Sequence, residues 1–233
     1  MTRQNLERCR IAGLDTLKIE GDRDGLSIVF FHGFGADAAD LAPLARQIPT
    51  PPGTNWYFPD GPVKVPLGGF GEGRAWFPIQ VAELEKLNTS RDGLDLSGVI
   101  PPGFAQARKA AMAFLTEVGV STDRLILGGF SQGAMLATEL TMNFDSSPAG
   151  LAILSGTLVN ANRWAEMATQ HKGMRFFQSH GEQDYVLSFS MAKRLEEMLV
   201  NAGWQGNLMG FRGGHEIPLP VISRLVSYIQ SVR

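Results

Sequence analysis

Short apolar runs alternate along the chain with longer segments in which apolar residues recur every three or four positions. The first pattern is typical of β-strands and the second of amphipathic α-helices. The predicted strands are 14–19, 26–31, 55–58, 122–128, 149–155, 174–179 and 207–211. The predicted helices are 37–48, 79–87, 104–118, 132–143, 163–171, 189–202 and 221–232. Repeated strand–loop–helix units predict an α/β fold, with a mostly parallel central sheet and helices on both faces.

Two stretches interrupt this alternation. Residues 61–75 are rich in glycine and are predicted to form a long loop, a kind of segment that is often functional in compact domains. Residues 88–103 are polar and broken by glycine and proline. Neither stretch is an interdomain linker, and the chain shows no internal repeat. We therefore expect a single domain over residues 1–233.

Composition limits the location and the partners of the protein. Its 233 residues are 44% hydrophobic, which is enough for one sizeable core. The net charge is −2 and there is no basic patch, so nucleic acid is not an expected partner. Cys9 is the single cysteine, which fits a reducing compartment. No secretory signal or apolar run long enough to span a bilayer is visible. We expect a cytoplasmic protein without stable membrane insertion.

The candidate chemistry lies where one predicted strand meets a predicted helix. The run Gly129-Phe130-Ser131-Gln132-Gly133 follows the strand directly and has the form Gly-x-Ser-x-Gly. A serine on such a tight turn takes a strained backbone conformation, and its hydroxyl stands clear of the sheet. Glycines flank it because side chains there would collide with the neighbouring strand and helix. The pattern alone is weak in a glycine-rich chain, so Ser131 as nucleophile requires partners downstream.

A serine hydroxyl needs a base, usually an imidazole held by a carboxylate. In parallel sheets the reactive groups collect at the carboxyl ends of the strands. His171 falls inside a predicted helix and is expected on the solvated surface. His32 and His180 each follow a strand, and either could be a structural histidine bonded to the backbone. His215 follows the last strand on a glycine-rich turn, which makes it the preferred base.

The acid is expected between the serine and the histidine, because a Gly-x-Ser-x-Gly turn between a strand and a helix is followed along the chain by the acid and then the histidine. Asp184 lies just beyond the strand at 174–179, and Glu182 is its close rival. The preferred triad is Ser131, Asp184 and His215.

An oxyanion requires backbone N–H donors, and two are expected here. One is Gln132, the residue after the nucleophile. The other is Phe34, in the loop His32-Gly33-Phe34-Gly35 after the strand at 26–31. The alternative for this loop is an ordinary glycine turn into a helix, but its place after an early buried strand favours an oxyanion loop.

Several apolar residues in or near loops at the same face could line an acyl pocket. They are Phe34, Trp76, Phe77, Leu158 and Leu187. The alternative is that these side chains cap the core.

Taken together, the motifs resemble the phospholipase/carboxylesterase family of α/β-hydrolases, which includes the acyl-protein thioesterases and small bacterial carboxylesterases. The matching runs, which keep the family's order from about residue 26 onward, are Phe31-His32-Gly33-Phe34-Gly35-Ala36-Asp37, Trp76-Phe77, Gly129-Phe130-Ser131-Gln132-Gly133-Ala134, Leu154-Ser155-Gly156, Ser179-His180-Gly181-Glu182-Gln183-Asp184 and Gly214-His215-Glu216-Ile217. The resemblance implies an α/β-hydrolase fold without a large cap domain and the triad Ser131–Asp184–His215. It also implies hydrolysis of small ester, thioester or lysophospholipid substrates, without a metal or organic cofactor.

The chain departs from the family near the expected mouth of the site. The run after the acid, where the family has a proline and then Val-Pro, is Tyr185-Val186-Leu187-Ser188, and the family's Asn-Ala-Pro-like turn is Asp60-Gly61-Pro62. These changes bear on substrate preference and leave the triad intact. The alternatives are another triad enzyme, such as a lipase, peptidase or perhydrolase, and a non-catalytic ligand-binding protein of the same fold. The terminal helix and residues 61–75 are candidates for a homodimer contact, which the sequence does not distinguish from solvent exposure.

Overall fold

The computed structural model describes residues 5–79 and 94–232. The strands in this part of the chain are β1 (Glu7–Ile11), β2 (Leu14–Ile19), β3 (Ser27–Phe31), β4 (Asn55–Pro59), β5 (Val63–Pro66), β6 (Glu72–Ala75), β7 (Leu125–Phe130), β8 (Gly150–Leu154), β9 (Arg175–Gly181) and β10 (Gln205–Phe211). The helices are α1 (Ala38–Leu41), α2 (Leu44–Gln47), α3 (Phe104–Val118), α4 (Gln132–Met142), α5 (Ala161–Ala168), α6 (Phe189–Asn201) and α7 (Leu219–Ser231).

Eight strands form one sheet in the order β1-β2-β4-β3-β7-β8-β9-β10. The first three in this order pair antiparallel, and the others pair parallel. Strands β3 and β8 are buried along their whole length, as expected for parallel strands covered on both faces. The prediction of a mostly parallel sheet is confirmed. The carboxyl ends of β3, β7, β9 and β10 therefore share one edge of the sheet.

Helices cover both faces of this sheet, as predicted. Apolar residues of α3, α4, α5 and α6 form one core, which includes Phe114, Leu136 and Leu195. Residues of α1, α2 and α7 form the other, which includes Leu41 and Leu225. Helix α4 is buried at every residue, because it lies between the sheet and α3. Among the described helices, none has the length and apolar character needed to cross a bilayer.

Two predictions of local structure are corrected, and one strand is added. Residues 61–75 are not a plain loop, since β5 and β6 pair antiparallel, with Val63 opposite Ala75. The helix expected at 37–48 is two short helices, because Pro43 has no N–H to continue the first one. Strand β1 was not predicted because its sequence is charged and it occupies an exposed edge. The helix expected at 79–87 lies, apart from Ile79, outside the described residues.

Candidate active site

Ser131 occupies the turn between β7 and α4. Its backbone lies at φ 56° and ψ −118°, a strained region for a residue with a side chain, so the expected strain is confirmed. The N–H of Ser131 donates to the carbonyl of Leu154 at 2.8 Å, and its carbonyl accepts from the N–H of Ala134 at 3.0 Å. The first bond fixes the turn to β8 and the second begins the helix. The hydroxyl is thereby held at the carboxyl edge of the sheet.

The two flanking glycines allow this turn, as predicted. A Cβ at Gly129 would collide with the main chain of Gly133. A Cβ at Gly133 would collide with the carbonyl of Phe31 in β3. The start of α4 therefore packs directly against the backbone of two adjacent strands, which fixes the height of Ser131 above the sheet.

Asp184 lies in the loop after β9 and its side chain is fully buried. Its Oδ2 accepts from Nδ1 of His215 at 2.7 Å, and Nε2 of His180 lies 3.2 Å from the same oxygen. Its Oδ1 accepts from the N–H groups of Val186 and Leu187 at 2.8 and 2.9 Å. Burial alone would raise the pKa of this carboxyl, but these hydrogen bonds outweigh burial and hold the pKa far below its usual range. The carboxylate is therefore ionised at neutral pH.

Glu182, the rival acid, has an exposed side chain. Its N–H donates to the carbonyl of Phe211, which joins the start of the loop to the end of β10. The structure thus brings Asp184, and not Glu182, to His215.

The four histidines have distinct environments. The His215 ring lies 4.8 Å from the ring of Phe130 and borders the same cavity as Ser131. His32 donates from Nδ1 to the carbonyl of Gly33 at 2.7 Å and accepts at Nε2 from the N–H of Gly61 at 2.9 Å. Burial lowers the pKa of His32, so this ring stays neutral.

His180 and His171 are also structural. Nε2 of His180 donates to the carbonyl of Leu187 at 2.7 Å. His32 and His180 therefore both bond to backbone, the alternative that the sequence left open. The prediction that His171 lies on the surface is wrong, because His171 is buried in a short 3₁₀ turn after α5. Its Nδ1 lies 3.1 Å from the hydroxyl of Ser147, and its ring packs against the ring of Trp204.

Phe34 and Gln132 border the cavity that contains Ser131, and each carries a backbone N–H. Neither N–H donates a hydrogen bond to another residue in the described ranges. The loop that carries Phe34 is fixed to β6, since Gly35 N–H donates to the carbonyl of Arg74 at 2.8 Å. Two backbone N–H groups of residues that line this cavity are therefore unpaired within the described ranges, and an oxyanion needs donors of this kind.

A cavity of about 160 Å³ lies beside Ser131. Of the predicted acyl-pocket residues, Phe34, Phe77 and Leu187 border it. The structure places the other two elsewhere. Trp76 is buried in the core, where its ring N–H donates to the carbonyl of His32 at 3.0 Å. Leu158 borders a different cavity, between α5 and α6.

Other wall residues were not identified from the sequence. Leu96 and Pro101 come from the stretch that appeared polar and broken, and Val186 comes from the run after the acid. Met135 lies one helical turn after Ser131, and this i, i+4 spacing is a signal that could have identified it. Across residues 5–79 and 94–232, no group of three or more His, Cys, Asp or Glu side chains could hold a metal ion.

Known proteins provide independent comparisons. A family model described as Phospholipase/Carboxylesterase matches residues 19–233. Acyl-protein thioesterase 1 of Cryptococcus neoformans is 25% identical over 75% of this chain and 72% of its own length. Acyl-protein thioesterase 1 of Eremothecium gossypii is 25% identical over 88% of this chain and 87% of its own length. The crystal structure of esterase PE8 superposes with a TM-score of 0.75 at 21% identity, covering 94% of this chain and 99% of that one. This likeness confirms the fold expected from the sequence.

Proposed function

Because the chain belongs to the phospholipase/carboxylesterase family, we propose that it is a serine hydrolase that cleaves carboxylic esters through an acyl-enzyme on Ser131. The observation that carries the proposal is one cavity bordered by Ser131, His215, Phe34 and Gln132, with the His215 ring bonded to a buried, ionised Asp184. The names of the relatives, acyl-protein thioesterase and esterase, support the same chemistry.

The reaction proceeds in two steps. Oγ of Ser131 attacks the carbonyl carbon while Nε2 of His215 takes the hydroxyl proton, and Asp184 stabilises the imidazolium through Nδ1. The oxyanion accepts hydrogen bonds from the N–H groups of Phe34 and Gln132, each contributing about 3 kcal/mol. The bond to the leaving oxygen or sulfur then breaks, and His215 donates its proton to the leaving group. His215 then takes a proton from water as the water oxygen attacks the acyl carbon. The bond from this carbon to Oγ breaks and His215 returns the proton to Oγ, which releases the acid and free Ser131.

The volume of the cavity beside Ser131 indicates the length of the acyl group. Its volume of about 160 Å³ is close to that of an apolar cavity that binds benzene, so it fits an acyl chain of about six carbons. His215 also borders a second cavity of about 340 Å³, beside Phe130 and Ile217. A thiol leaves by the same proton transfer, so thioesters belong to the expected substrates.

The test compares wild type and Ser131→Ala on p-nitrophenyl esters from acetate to palmitate. We expect turnover by the wild type, an optimum at about six carbons, and loss of turnover in the variant. Ser155→Ala is the matched control, because Ser155 is also a buried strand-end serine with positive φ, 47°. It should retain turnover. Equal losses in the two variants would contradict the assignment of Ser131. No turnover of esters or thioesters by folded wild type would favour a ligand-binding protein.

A further inference from the structure

The side chain of Gln132 binds the wall of the acyl cavity. Its Oε1 accepts from the backbone N–H of Trp76 at 2.8 Å, and its Nε2 donates to the backbone carbonyl of Phe77 at 2.8 Å. Gln132 is 1% exposed, so the amide makes these bonds inside the protein. One side chain thus clamps the main chain of two consecutive residues that lie more than fifty positions away in the sequence.

A glutamine suits this position because its amide offers a donor and an acceptor at the same end of the side chain. Glutamate would keep the acceptor for Trp76 but would place an oxygen against the carbonyl of Phe77. Methionine has a similar length and offers neither group. Because Trp76 and Phe77 are 1% and 2% exposed, either change leaves a buried backbone group unpaired.

The clamp connects the wall to the nucleophile. Gln132 is the first residue of α4 and follows Ser131 directly, so its Cα is fixed by the same turn. At the other end, Phe77 borders the cavity and its ring meets the ring of Phe104 edge-on, with centroids 5.1 Å apart. The clamp therefore sets the position of Phe77 relative to the serine hydroxyl.

We propose that the Gln132 side chain is a positioning residue that fixes this wall and so determines the length of acyl chain that the enzyme accepts. The inference rests on the proposed esterase function. It is separate from the oxyanion contribution of Gln132, because that donor is a backbone N–H, which every substituted residue retains. We expect an acetyl group to be too short to reach the wall and a hexanoyl group to contact it.

The experiment measures kcat/KM of Gln132→Met on p-nitrophenyl acetate and hexanoate. We expect kcat/KM to fall on both esters, and the hexanoate-to-acetate ratio to change by about tenfold because the wall loses both bonds of the clamp. Gln178→Met is the matched control. Gln178, in β9, is equally buried, and its Nε2 donates to the carbonyl of Ala192 at 2.8 Å. This control should lose stability without a change in the ratio.

A second measurement separates the possible results. Amide hydrogen exchange should show that the Trp76 N–H loses protection in Gln132→Met and keeps it in Gln178→Met. An unchanged ester ratio, or equal losses on both esters, overturns the inference and leaves the esterase intact. Failure of the wild type on every ester overturns the proposed function instead. In that case the clamp is tested by calorimetry, which measures the affinity of wild type and Gln132→Met for acetate and hexanoate. The clamp predicts the same shift in chain-length preference in these affinities.

Discussion

Replacement of Asp184 by asparagine tests the hydrogen-bond geometry of the acid. In the wild type, Oδ1 accepts from two backbone N–H groups, those of Val186 and Leu187, and Oδ2 faces His215 and His180. An asparagine has one oxygen for these two positions. A backbone N–H cannot give up its proton, whereas His215 can move its own proton to the other ring nitrogen. The amide oxygen should therefore take the Oδ1 position, which turns the NH₂ group toward His215.

The Asp184→Asn substitution would therefore stabilise the inactive tautomer of His215. His215 would accept at Nδ1 and carry its proton on Nε2, where it can no longer take the proton of Ser131. We expect kcat/KM to fall by about 10³- to 10⁴-fold, which corresponds to about 4 to 5 kcal/mol of transition-state stabilisation. Asp184→Ala imposes no tautomer, so we expect the asparagine variant to be no more active than the alanine variant.

The assay is kcat/KM on p-nitrophenyl hexanoate for wild type and both Asp184 variants, with circular dichroism and thermal unfolding to establish that each is folded. An asparagine variant within about tenfold of wild type would refute the reasoning. An asparagine variant far more active than the alanine variant would also refute the reasoning, because the asparagine amide would then not hold His215 in the inactive tautomer.

Two further predictions concern stability. Trp76→Ala should lower the free energy of unfolding by about 3 to 5 kcal/mol, because it empties a buried site; a loss below about 1 kcal/mol in urea unfolding would contradict this. Burial raises the pKa of Glu139, but hydrogen bonds from Arg163, Trp164 and Arg108 outweigh it and lower the pKa. Its stabilisation is therefore present above about pH 4.3, the ordinary glutamate value, and is lost as pH falls. Glu139→Gln should cost about 3 kcal/mol at neutral pH, and its difference from wild type should shrink at about pH 3; a difference independent of pH would contradict the prediction.

Elements with strong local signals could be predicted closely. Helix α3 has the predicted bounds, because its amphipathic pattern begins after Gly103 and ends at Gly119, whose left-handed conformation terminates a helix. The meeting of Ser131, Asp184 and His215 could be proposed because a parallel sheet gathers strand ends at one edge, whichever loops follow them.

Non-local contacts account for what could not be predicted. The β5–β6 pairing depends on contacts between two short strands that contain glycine and proline, so neither has a strand signal of its own. The cavity wall combines residues from distant segments, and no periodicity connects Leu96 with Leu187. Within the run that departs from the family after the acid, Ser188 has a local role, because it caps α6 by accepting from the N–H of Met191. The contacts of the Gln132 side chain could not be predicted either, because the Gly-x-Ser-x-Gly motif indicates where the backbone of Gln132 lies and not where its side chain points.

The central claim is that Ser131 forms a covalent acyl-enzyme with His215 as its base. Intact-mass spectrometry after exposure to an alkyl fluorophosphonate tests it most directly, because such a reagent reports a nucleophilic serine whatever the natural substrate. The account predicts a single adduct on wild type, located by peptide mapping at Ser131, with no adduct on Ser131→Ala and strongly slowed labelling of His215→Ala. Unmodified wild type, or an adduct that persists in Ser131→Ala, would contradict the account.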